Sequence, residues 1–68
     1  MNNKDAEVVY NLIQLYILER NYRKAKNMIM YFYKNHDKLQ TIDKNIDYYD
    51  DKISLFDKFI KTQNMFVK

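Results

Sequence analysis

The sequence predicts an all-α protein, a three-helix bundle, on three observations. The 68 residues contain no Gly and no Pro, the commonest residues of hairpin turns, so a multi-stranded sheet would have to turn on Asn and Asp alone. Hydrophobic residues make up 47% and charged residues 31%, the balance of a folded domain and not of a disordered tail. Apolar residues also recur at helical spacing over nearly the whole chain. A chain this short is expected to be one domain, residues 1–68, at the size where a single core is only marginally stabilising.

The first helix is expected over about residues 5–19. Asn3 is a plausible N-cap, and Asp5 and Glu7 fall where the helix dipole favours negative charge. At 100° per residue, Lys4, Glu7, Asn11 and Gln14 form one narrow polar strip. Val8, Val9, Leu12, Ile13, Leu15, Tyr16 and Ile17 spread over an arc of roughly 220°. A surface helix needs about half that arc, so this helix expects neighbours on two sides.

Glu19-Arg20-Asn21-Tyr22 is the first break. In a chain without Gly, Asn21 is the natural candidate for the left-handed residue that ends the first helix. The second helix is expected over about 22–36, with Tyr22, Ala25, Met28, Ile29, Phe32 and Tyr33 on its apolar face. The third is expected over about 43–62, entered through capping residues around Thr41-Ile42-Asp43.

A longer regularity runs through the last two helices. Ala25, Met28, Phe32, Asn35, Leu39, Ile42, Ile46, Tyr49, Ile53, Phe56 and Ile60 are spaced 3-4-3-4 without interruption. That is the seam of a coiled coil or of a bundle helix. The alternative to the bundle is therefore one long helix over residues 22–62, which would almost oblige a dimer.

Charge is segregated along the chain. Residues 20–38 hold the basic residues Arg20, Arg23, Lys24, Lys26, Lys34 and Lys38 against Asp37 alone. Residues 41–57 carry the acidic stripe Asp43, Asp47, Asp50 and Asp51, with Asp57 beyond it. The two blocks are expected to attract if helices two and three pack antiparallel, and equally if two chains do.

Residues 9–37 resemble a single tetratricopeptide-repeat helical hairpin. Val9, Leu12 and Tyr16 match its first helix, and Tyr22-Arg23-Lys24-Ala25 matches the Tyr-x-x-Ala that opens its second. Ile29 falls where the family has Phe. The pattern departs at Ile13, where a small residue is usual, at Arg20 in place of Gly, at Phe32 in place of Ala, and at Asp37 in place of Pro. The resemblance covers less than half the chain and implies protein or peptide binding, not catalysis.

Catalysis has little to work with. Without Cys there is no disulfide, thiolate zinc site or thiol nucleophile. Without Gly there is no phosphate-cradling loop. One His, one Ser and two Thr assemble no nucleophile–base pair. His36 reads as a capping or interfacial residue. The Asp stripe lacks both the flexible loop that calcium needs and the Glu-x-x-His pairs of bundle metal sites. The expectation is a non-enzyme with no cofactor and no metal. The first residues have no basic n-region or cleavage site, and no apolar run is long enough to span a bilayer. A cytoplasmic location without a membrane partner is therefore expected.

What remains is surplus apolar surface. Seven Tyr and four Phe in 68 residues exceed what so small a bundle buries. Tyr10, Tyr31, Tyr48, Leu55, Phe59 and Phe66 lie off the main seams and are the expected anchors for a partner, since Tyr and Phe dominate interface hot spots. The partner expected is another protein, with a homodimer as the state of the chain. The competing class is a nucleic-acid binder using the basic residues of 20–38, with Tyr31 projecting among them.

Overall fold

The computed structural model describes residues 5–42 and 44–66, the side chains of 64–66 excepted. They form a three-helix bundle of α1 (Ala6–Leu18), α2 (Tyr22–Lys34) and α3 (Ile46–Phe66), with a single 3-10 turn at His36–Lys38. The three helices run up, down and up, and each packs against the other two. The long-helix alternative is not realised, because the chain leaves helical geometry after Lys34 and re-enters it at Ile46.

Each helix contributes three residues to the buried core. These are Ala6, Val9 and Ile13 from α1, Ala25, Ile29 and Phe32 from α2, and Tyr49, Ile53 and Ile60 from α3. The spacings are multiples of one or two helical turns, which keeps each set on one face. Among the described residues no polar or charged side chain other than Tyr49 is buried. Ile13 is fully buried where the repeat hairpin would carry a small residue, and Ala6 and Ala25 are the small side chains at this core.

The helix ends show how a chain without Gly or Pro makes its turns. Asp5, not Asn3, caps α1: its carboxylate accepts from the Glu7 N–H at 2.9 Å, and Asn3 lies outside the described residues. At the other end of α1 the left-handed residue is Arg20, with φ 60°, and not Asn21. The Asn21 N–H reaches the Tyr16 carbonyl at 2.8 Å and the Arg20 N–H reaches Ile17 at 3.0 Å. This pair of bonds is a Schellman motif built on Arg where Gly is usual. Asn21 instead caps α2, its side chain accepting from the Lys24 N–H at 3.4 Å. It is freed for that role because Arg20 absorbs the reversal of the chain.

The connection from α2 to α3 is tied to α1. Gln40 offers its carbonyl to the Ala6 N–H at 2.8 Å, satisfying a donor that the first turn of α1 leaves unpaired. Leu39 packs against the core. Ile42, next in the 3-4 pattern, is 81% exposed. Expected on the seam, it stands out from the connection because no helix is there to turn it inward. The cap of α3 comes later than expected, at Asn45, whose side chain accepts from the Tyr48 N–H at 3.2 Å.

Candidate protein-docking face

The six residues expected to serve as anchors divide once the helices are packed. Tyr10 is not off the core: its ring stacks on Phe56 at 5.6 Å and meets Tyr49 edge-on at 5.9 Å. It fills the flank between α1 and α3, where the wide apolar arc of α1 finds its second neighbour. Tyr31 also packs against the core and is half-buried. With Asn35, Lys38, Leu39 and Gln40 it lines an open depression of about 410 Å³.

Tyr48, Leu55 and Phe59 remain exposed, at 37%, 61% and 42%. All three project from one flank of α3, at i, i+7 and i+11. About a third of the way round the helix, Tyr49, Ile53 and Ile60 are committed to the core. Tyr48 is held at its base by Tyr49, edge-on at 5.2 Å. Lys44 and Lys52 place their ammonium groups 4.9 and 5.6 Å from its ring centroid, within cation–π range. Phe59 meets Tyr22 at 6.1 Å across the end of the bundle. The side chain of Phe66 lies outside the described residues.

One polar bond locks this helix to α1. The Tyr49 hydroxyl donates to Glu7 Oε1 at 2.6 Å, joining residues 42 apart in sequence. A phenol buried beside the Tyr10 and Tyr48 rings needs such a partner, and a carboxylate at the rim supplies a strong one.

The charged residues are less concerted than their blocks suggest. Arg20, Arg23, Lys24, Lys26, Lys34 and Lys38 are all exposed, spread over the turn, the outer half of α2 and the 3-10 turn. Lys24 reaches over the Tyr16 ring at 6.0 Å. Asp47 and Asp51 are exposed and Asp50 is half-buried, while Asp43 lies outside the described residues. Among the described residues the ion pair is Lys61–Asp57 at 3.1 Å, and His36 Nδ1 lies 3.7 Å from Asp37 Oδ1. Neither joins α2 to α3, so the expected attraction between the blocks forms no direct pair. Side chains this long stay in water when contact gains so little.

Further exposed apolar residues had no separate signal in the sequence. Leu15 lies at the edge of the α1 arc, Leu18 falls on the polar strip in the last turn of α1, and Met30 lies on the outer side of α2. Tyr33, expected on the apolar face, is instead 42% exposed at the border with α3. Desolvation pushes its phenol above the ordinary range, reinforced by Asp50 and Asp57, with Ser54 and Lys61 pulling the other way. His36 packs edge-on against Phe32 at 5.5 Å.

Among the described residues no three His, Cys, Asp or Glu side chains gather to hold a metal ion. No helix there is long and apolar enough to cross a membrane. The chain matches no family model, no curated protein and no solved structure.

Proposed function

We propose that this protein acts by binding another protein through the exposed flank of α3, as a regulator, adaptor or inhibitor without catalytic chemistry of its own. The observation that carries the reading is the Tyr48–Leu55–Phe59 row. It is a set of large apolar side chains at helical spacing, left in water by a helix that already completes the core through another face. Tyr and Phe bring large contact area at low entropic cost, which suits helix-face docking. The tetratricopeptide-like hairpin of residues 9–37 supports the same class of role.

The test is capture of a partner from native lysate by the wild-type chain and by Leu55→Glu and Phe59→Glu. Both residues are exposed, so the variants should melt within a few degrees of wild type while losing the captured protein. Retention of the same partner by both variants would refute this docking face.

A second reading, nucleic-acid binding, is favoured by one observation: none of the six basic residues of 20–38 is engaged by a carboxylate. It requires binding at low salt that falls steeply with log salt concentration. Replacing Lys24, Lys34 and Lys38 together by Glu should abolish such binding and leave a protein complex on α3 intact.

A further inference from the structure

The α3 flank has a regular order that points to its occupant. Tyr48, Lys52, Leu55, Phe59 and Thr62 are spaced 4-3-4-3, and in sequence the spacing continues to Phe66. They occupy the a and d positions of a heptad seam distinct from the one turned to the core. One edge of this seam is closed by Tyr49 and Phe56, which pack against α1. The other edge is open and carries Asp51 and Lys58, one heptad apart, both exposed and neither in an ion pair.

We infer that the partner on this flank is a second copy of the chain, its α3 packed antiparallel about a two-fold axis. The inference rests on the docking face proposed above and names its occupant in the free protein, a copy that another protein binding there would displace. In the antiparallel register that sets Tyr48 against Phe59 of the copy, Lys52 falls against Leu55 by the same symmetry. Each a position then faces a d position, as the packing requires. Antiparallel helices also bring like edges together, so the open edge meets itself. Asp51 then faces Lys58 of the copy, and Lys58 faces its Asp51. The acidic first half of α3 (Asp47, Asp50, Asp51) thus lies along the half that carries Lys58, Lys61 being paired with Asp57 of its own chain. A parallel pairing would set Asp51 and Lys58 against the Tyr49–Phe56 edge and leave both charges without partners. Lys52 at the seam lays its aliphatic stem across Leu55 of the copy and carries its ammonium to the rim. A single polar residue at such a position selects register and orientation.

The experiment is sedimentation equilibrium of the full chain over a concentration series, for wild type, Asp51→Lys and Lys58→Asp, separately and mixed one to one. Circular dichroism melts confirm that each variant folds. A wild-type dimer is expected, weakened about tenfold by either reversal, since each turns two symmetric attractions into repulsions. Mixing the variants should restore association, because the introduced charges are opposite only across a mixed antiparallel pair. A dimer indifferent to both reversals, or one not restored by mixing, overturns the pairing. A chain monomeric up to about 1 mM overturns the second copy as occupant. In that case loss of a captured protein in Leu55→Glu would still uphold the docking face, so the two failures are separable.

Discussion

Replacing Arg20 with Gly should stabilise the protein, and the size of the gain can be worked from the turn it occupies. Arg20 sits at φ 60° between α1 and α2, with its N–H bonded to Ile17 and the next N–H bonded to Tyr16. A side chain with Cβ in this region crowds the following carbonyl, costing about 1–2 kcal/mol. Gly removes that crowding but has more freedom to lose on folding, which returns about 0.5–1 kcal/mol. The exposed guanidinium makes no ion pair whose loss must be added. The net expectation is a gain of about 0.5–1 kcal/mol, or roughly 2–8 °C in Tm for a domain of this size. The assay is a thermal melt followed by circular dichroism, backed by urea midpoints at unchanged m-value. Arg20→Ala is the control, because it discards the same charge and keeps Cβ. If Arg20→Gly is no more stable than Arg20→Ala, the left-handed turn is not where the strain lies.

Two further predictions test the packing. Tyr49→Phe removes the donor to Glu7 and should cost about 1–2 kcal/mol, since the exposed carboxylate regains water. A double-mutant cycle with Glu7→Ala should show most of that cost as coupling, and independent effects would refute the bond. Because Tyr33 has a raised folded pKa, its contribution to stability is complete below the ordinary phenol pKa of 10.0 and is lost as pH rises through the folded value. Tyr33→Phe should therefore weaken the alkaline fall in stability, read as Tm against pH, and an unchanged alkaline limb would refute the assignment.

The legibility of the fold is clearest along the 3-4 pattern from Ala25 to Ile60. Of its members in α2 and α3, Ala25, Phe32, Tyr49, Ile53 and Ile60 are buried, and Met28, Ile46 and Phe56 pack half-buried against them. Yet the pattern is blind to the break inside it. Periodicity records which side of a helix is apolar, and the same phase survives when the chain folds back on itself. The break is stabilised by a bond that no local pattern contains, from Ala6 to the carbonyl of Gln40. The turn at Arg20 escaped for a related reason. Intrinsic preference favours Asn as the left-handed residue, but Asn21 contributes more as the cap of α2, and Arg20 takes the strained position.

The docking face divides in the same way. Tyr10 and Tyr48 are equivalent by spacing, both off the principal apolar stripe of their helix. Only the side on which α3 lands against α1 separates them, burying Tyr10 on Phe56 and leaving Tyr48 in water. Composition and period by themselves determined the all-α class, the apolar side of each helical segment, and an excess of aromatic surface, but not whether the last two helices are separate. These follow from local geometry and the short-range cost of turns. The tertiary structure alone decided which part of the excess stays exposed and how the two connections are made. Those outcomes depend on contacts between residues far apart in sequence, each with several locally equivalent rivals.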